Sequence, residues 1–264
     1  MILEGYADES ESGGTGQGNA YVLAGYISTA PHWIAFSQEW ETVCDTEPKT
    51  PDFHMAKAWR IKGDYRWKTV EERDSKIAEL AGVIQKWSKY RIDAVVSRPA
   101  YESIVRGHLP PQIDNPYFIC FYNAILASCH LLKKIGHEGV VDWIFDKQGP
   151  LVETQCVVWY HWVKLHAPLE VSKYLGSTPI FRHDTELLPL KAADMYAWLV
   201  RRHLDLEQRQ GIPMGERLEQ LLDAYGVSCQ ATPENLGELV QSGGILLKQE
   251  CLFHLPPSVV SCEA

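Results

Sequence analysis

The chain has 264 residues, of which 45% are apolar and 22% charged, and a formal charge of −9. These proportions are ordinary for a globular protein and exclude a disordered, collagen-like or mucin-like chain, while the length allows one large domain or two small ones. The acid excess gathers at the end, where residues 210–264 hold two basic and seven acidic residues, and so acidic a chain lacks the wide basic surface of a passive DNA-coating protein.

In chain order, Ile2 to Asp8 reads as a first strand, Ser10 to Asn19 as a loop rich in Gly and Ser near Asp8, and Ala20 to Ser28 as a second strand, together a hairpin with a long tip. Pro31 opens a helix that ends near Asp45, and Phe53 to Ala56 reads as a brief strand. Ile77, Leu80, Ala81, Ile84 and Trp87 form one stripe and predict a helix over 70–89. Arg91 to Ser97 alternates as a strand and is ended by Pro99. Residues 115–134 form a helix apolar nearly all round, and therefore buried nearly all round. A strand over 140–145 follows, then a helix over 151–165, one or two short strands within 170–181, and a long helix over 187–209. Two short helices are expected over 216–225 and 233–241. A hairpin followed by alternating strands and helices implies an α/β domain with a mixed sheet flanked by helices, here residues 1–209, and an acidic helical extension over 210–264 packed on it or appended to it.

The seven cysteines are scattered, with no CxxC pair, so they read as reduced thiols of a cytoplasmic protein rather than a disulfide frame or a zinc site. The longest apolar stretch, Tyr117 to Leu132, is too short to span a bilayer and contains Asn123, Ser128 and His130, so no membrane association is expected. The start, MILEGYADES, has no basic region ahead of an apolar one, so no secretory signal is expected.

Three carboxylates lie where carboxylates are expensive. Asp8 ends the first strand, Asp146 ends the strand read as Val-Val-Asp-Trp-Ile-Phe, and Asp194 sits inside a helix between Ala193 and Ala197, small residues that let a helix lie close on a sheet. Each has an ordinary alternative: a turn or helix cap for Asp8 and Asp146, and a solvated ion pair with Lys191 or Arg201 for Asp194. Acids in apolar settings need partners, and three in one place need cations. Hard cations prefer oxygen ligands, so together the three point to Mg²⁺ or Mn²⁺, the ions that activate water and stabilise the leaving oxygen of a phosphodiester. No Gly-x-Ser-x-Gly elbow, Asp-x-Asp pair, phosphate loop or dinucleotide fingerprint is present.

YADES, HMAKA, WIFDKQ and the stretch FRHDTELLPLKAADMYAW resemble the domain-of-unknown-function 3800 family over roughly residues 1–205. The resemblance implies a ribonuclease-H-like fold and a metal-dependent, nuclease-like site carried by Asp8, Asp146 and Asp194, with Glu9 as a further acid. It also brings in His54, as an acid, base or phosphate donor, against the alternative of a histidine satisfied within the fold. The chain departs from the family pattern in having Glu11 where a Gly usually follows Asp-Glu-Ser, and Lys191 where a Gln usually precedes the Ala-Asp pair. Lys191 either contacts a phosphate as a point charge or neutralises Asp194 and weakens metal binding. Asp184 reads either as an outer ligand or, preferably, as a cap for the helix that follows.

The segment from Lys57 to Lys68 interleaves Lys57, Arg60, Lys62, Arg66 and Lys68 with Trp59, Tyr65 and Trp67, the mixture that holds phosphates and stacks on unpaired bases. The alternative is a solvated loop whose Trp59 and Trp67 fold back onto the core. The expected function is a Mg²⁺- or Mn²⁺-dependent hydrolase of nucleic-acid phosphodiesters, with Asp8, Asp146 and Asp194 as metal ligands, Glu9 assisting, and His54 and Lys191 at the scissile phosphate. A role in prokaryotic defence or a mobile element belongs to that expectation. The rival is a non-catalytic nucleic-acid- or protein-binding scaffold on the same fold, working with a partner protein or as a homo-oligomer.

Overall fold

The computed structural model describes residues 2–10, 18–111, 113–210, 215–246 and 262–263. The expected Gly- and Ser-rich loop falls largely at 11–17, outside these residues. The centre of the molecule is a mixed sheet built from β1 (Leu3–Ser10), β2 (Ala20–Ser28), β3 (Tyr90–Ser97), β4 (Val141–Asp146), β5 (Ile180–Arg182), β6 (Gly226–Ala231) and β7 (Cys262–Glu263) in the order β5-β4-β1-β2-β3-β6-β7. β1 pairs antiparallel with β2 and parallel with β4, β2 pairs antiparallel with β3, and β5 lies parallel beside β4. This order, with β2 alone reversed among the first five strands, is that of a ribonuclease-H-like sheet.

Covered faces explain the strand sequences. All nine residues of β2 are buried, which is why Ala-Tyr-Val-Leu-Ala-Gly-Tyr-Ile-Ser carries no charge. In β1 the alternation sends Leu3 and Ala7 into one core and Tyr6 into the other. The first core lies under α5 (Pro116–Lys134), α6 (Pro150–His166) and α10 (Pro233–Leu246). The second lies under α1 (Ala30–Asp45), α3 (Val70–Trp87), α8 (Pro189–Gln210) and α9 (Glu216–Leu222). α8 rests directly on β1 and β2, and Ala192, Ala193 and Ala197 on it are fully buried. Asn115 caps α5 by accepting the Tyr117 amide at 2.8 Å. Among the described residues no helix is long and apolar enough to cross a membrane.

Two expectations are corrected, and that of one or two short strands within 170–181 is met by one. The brief strand at 53–56 is instead the start of α2 (Met55–Ala58), because the His54 ring accepts the Ala56 amide and caps a helical turn. The segment 170–181 begins with the helical turn α7 (Leu169–Ser172) and supplies only β5 as a strand. Residues 210–264 are not all helical: β6 lies parallel to β3 between the two helices, its Val227, Cys229 and Ala231 buried in alternation. After Ser97, α4 (Arg98–Ala100) runs on into a π-helical turn over Tyr101–Val105, a piece for which the sequence held no periodic pattern.

β6 is stitched to α8 through a buried acid. Asp93 on β3 accepts from Ser228 at 2.9 Å, from Arg91 at 3.1 Å and from the Tyr196 hydroxyl of α8. On the same side of the sheet, α1 has no basic residue in its last turn, and Lys76 of α3 supplies one. Its ammonium, on a side chain 2% exposed, donates to the Val43 and Thr46 carbonyls at 2.7 and 3.0 Å and to Thr46 Oγ1 at 2.8 Å. It thereby closes the end of α1 and fixes the start of the segment that leads to His54. Lys76→Met fills a similar volume but leaves these acceptors bare. It is expected to lower stability by about 1–3 kcal/mol, read as a shifted urea midpoint with an unchanged slope.

Candidate metal centre

β1 and β4 run side by side in the same direction, with Ala7 opposite Phe145. Asp8 and Asp146 therefore emerge together one residue further on, where β4 ends and β1 runs on to Ser10 paired with β2 alone. Both sit an even number of residues from inward-facing Tyr6 and Ile144, so both face the α8 side of the sheet. α8 crosses above them and contributes Asp194. Glu9, by alternation, starts from the opposite face, but its carboxylate reaches the same two acids. Oxygens of Asp8, Glu9 and Asp146 lie within 4.8 Å of one another.

These groups and Asp194, His54, Trp59, Arg60, Asp184 and Arg201 line a cleft of about 600 Å³. Gln148 steadies Glu9 with a 2.6 Å hydrogen bond from its amide. The Asp184 amide donates to Asp146 Oδ1 at 3.0 Å, and the Met55 amide to Asp194 Oδ2 at 2.6 Å. His54 Nδ1 lies 3.4 Å from the same Asp194 oxygen and 3.3 Å from the Ala56 amide it accepts. The His54 amide in turn donates to Tyr65 Oη at 2.9 Å, and that hydroxyl donates to the Asp52 carbonyl at 2.9 Å.

The crowding shows in the acidities. Burial, then the charges of Glu9, Asp194 and Asp146, push the Asp8 carboxyl well above the usual carboxylate range. Burial, then Glu9 and Asp184, raise Asp146 to about 7, against the pull of two backbone amides. Burial also raises Asp194, opposed chiefly by His54 and the Met55 amide. A purely oxygen donor set that resists ionising without a counter-charge fits a hard divalent cation.

The ligands expected from the sequence were Asp8, Asp146 and Asp194; among the described residues the cluster within 4.8 Å has Glu9 as its third member, and Asp194 lines the same cleft. Lys191 is corrected. It is 2% exposed, and its ammonium is bonded to Asp52 at 2.6 Å and Asp184 at 2.9 Å, so it cannot reach a phosphate. Burial lowers its affinity for a proton, but the two carboxylates more than compensate and hold it charged. Asp184 is corrected too. It does not cap α8, which begins five residues later at Pro189, but stands in the cleft held by Lys191.

The basic–aromatic segment divides. Trp67 is turned inward, 4% exposed, its indole N–H on the Ala58 carbonyl at 2.7 Å, and cannot stack on a base. Trp59 is half-buried and covered by the Arg73 and Arg202 guanidinium groups at 4.1 and 4.5 Å from its ring centre. Lys57 and Lys62 are exposed, and Arg66 and Lys68 line a separate depression with Glu47 and Glu72. Of the segment, only Trp59 and Arg60 line the acid cleft. Trp198 and Arg201, also in the cleft, were not singled out as site residues in the sequence, although they follow Asp194 at i+4 and i+7 and so share its helix face.

No protein-family model matches the chain, and no curated protein matches it. Among solved structures the chain is similar to a chain of the PCNA:RNase HII complex from Archaeoglobus fulgidus, at 13% identity and a TM-score of 0.40, over 84% of this chain and 87% of that one.

The raised acidities carry a sign for stability. Asp146 ionises near pH 7 when folded and near an ordinary carboxylate value of about 4 when unfolded. Its contribution is therefore fully present below about pH 4 and is lost as the pH rises through about 7. Without divalent ions, stability relative to Asp146→Asn is expected to fall across that interval. Added Mn²⁺ is expected to raise the melting temperature more at pH 8 than at pH 5.5, since ions and protons compete for the same oxygens. Melting curves with EDTA or Mn²⁺ check both.

Proposed function

We propose that the protein is a divalent-metal-dependent hydrolase of nucleic-acid phosphodiester bonds. The observation that carries this reading is the convergence of Asp8, Glu9 and Asp146 oxygens within 4.8 Å at the mouth of a cleft. Asp8, Glu9 and Asp146 would hold Mg²⁺ or Mn²⁺, with Asp194 as a further acid. Bound there, the ion supplies an activated water and neutralises charge on the phosphate.

The chain's own groups do the rest. His54, with its side chain 39% exposed over the cleft and its Nδ1 beside Asp194, is placed to move a proton to or from the reacting oxygens. Arg60, exposed on the rim, would draw the phosphate backbone across the acids. Lys191 acts at a distance, pinning Asp184 and the Asp52 turn rather than touching substrate. The scaffold rival drew support from the idea that Lys191 neutralises Asp194; its ammonium is hydrogen-bonded to Asp52 and Asp184 and acts on Asp194 only through space, behind burial, His54 and the Met55 amide. Membership of the domain-of-unknown-function 3800 family, and a place in prokaryotic defence or a mobile element, accompany the proposal on the strength of the YADES, HMAKA and WIFDKQ resemblance.

The test is cleavage of single-stranded and duplex DNA, RNA and a hybrid with Mg²⁺, Mn²⁺ or EDTA. Asp8→Asn and Asp146→Asn are each expected to lower the metal-dependent rate by at least about a hundredfold with the melting temperature unchanged or raised. Arg60→Ala is expected to raise KM more than it lowers kcat. Undiminished cleavage by the two Asn variants would remove the proposal.

A further inference from the structure

A second pocket, of about 230 Å³, opens beside the acid cleft and shares Glu9 and Ser10 with it. Its walls, Tyr21, Leu23, Tyr117 and Cys120, belong to the core on the α5 side of the sheet, whereas Asp8 and Asp194 lie on the α8 side. Glu9 is thus the partition between the two spaces. We infer that this pocket receives the nucleoside adjoining the phosphate that is cut and sets the enzyme's base or sugar preference, an inference that rests on the nuclease reading.

Charge sets the class of occupant. Among the described residues no lysine or arginine lines the pocket, so it is not a seat for a phosphate. Apolar and aromatic walls with a few polar groups suit an uncharged ring system. The volume lies below the roughly 300–1,000 Å³ of sites that enclose drug-sized ligands, which fits one unit of a strand rather than several.

The polar groups are left with capacity to spare. The Tyr117 side chain is 91% buried and its hydroxyl has no hydrogen-bond partner, an arrangement that costs stability unless something else answers it. Asn115 spends its carbonyl oxygen on the Tyr117 amide and keeps its NH₂ group. Gln148 spends its NH₂ group on Glu9 and keeps its carbonyl. Tyr117, Asn115 and Gln148 all line this pocket, and together they hold the donors and acceptor that the edge of a base or the hydroxyls of a sugar require. Because Gln148 also orients Glu9, an occupant reaching it would steady one of the acids of the metal centre.

The experiment is calorimetric titration of the whole protein with the four ribonucleoside and four deoxyribonucleoside 5′-monophosphates, and separately with Mn²⁺. Wild type, Tyr117→Phe, Asn115→Asp and Asp146→Asn are compared. The wild type is expected to spread its affinities over about tenfold or more, with the ribose and deoxyribose series separating sugar from base recognition. Tyr117→Phe and Asn115→Asp are expected to weaken the best nucleotide by at least about fivefold and flatten the spread. Asp146→Asn should retain it.

Tyr117→Phe removes an unanswered hydroxyl, so a purely structural role predicts no loss of affinity and an unchanged or higher melting temperature. Asn115→Asp preserves the cap of α5 and keeps the second arm folded. Equal nucleotide binding by wild type and both variants, or no nucleotide binding by the wild type, would overturn the inference. In either case Mn²⁺ binding lost only in Asp146→Asn would leave the metal centre standing. A Tyr117-dependent preference without Mn²⁺ binding would keep the pocket and remove the nuclease reading.

Discussion

Acidic side chains that converge out of reach of water repel one another, and a fold that assembles them has to hold them by other means. Here burial is the larger cause and that repulsion adds to it, so that Asp8, Asp146 and Asp194 are all raised where the pairing of β1 with β4 stops. The means of holding are visible. The parallel pairing of the two strands fixes Asp8 beside Asp146, a layer of alanines brings α8 down onto the sheet, and backbone amides from Met55 and Asp184 grip Asp194 and Asp146.

The surrounding structure reads as support for that strained cluster. Lys191 joins the Asp52 turn to Asp184, and Asp184 in turn holds Asp146 through its amide. Tyr65 spans the Asp52 carbonyl and the His54 amide, so the segment that roofs the cleft is tied at both ends. Lys76 does comparable work one step further out, at the end of α1. Two lysines, each about 2% exposed, thus stabilise the site without touching its chemistry, one through carboxylates and the other through carbonyls.

Much of the architecture was legible from local pattern. The stripe in α3, the all-round apolar α5 and the alternation of β3 each reflect burial that repeats with the period of the element, and each formed close to its expected span. Asp8 and Asp146 were legible because an acid at the end of an apolar strand is out of place unless it has work to do. What local pattern could not show was pairing across the chain. Lys191 stands three residues before Asp194, and nearness in sequence invited an ion pair; the helix turns the ammonium toward Asp52, 139 residues away. Trp67 looked like a stacking platform until the fold closed over it. β6 was missed for a different reason: Val-Ser-Cys-Gln-Ala alternates, but six residues between two helical stretches carry too little apolar surface to announce a strand before a partner is known.

The parallel seating of β6 against β3 gives the C-terminal part of the chain a meaning beyond its acidity. β3 would otherwise be the sheet's outermost strand on that side, eight residues long, with a row of unanswered amides and carbonyls facing outward. Such an edge is a template on which another chain can add a strand. Shortening the protein ahead of β6 would open this edge and strip Ser228 from Asp93 on the strand that lies against α8. What reads in sequence as a trailing appendage therefore serves as the selvage of the sheet, the finished border that keeps one molecule from knitting onto the next.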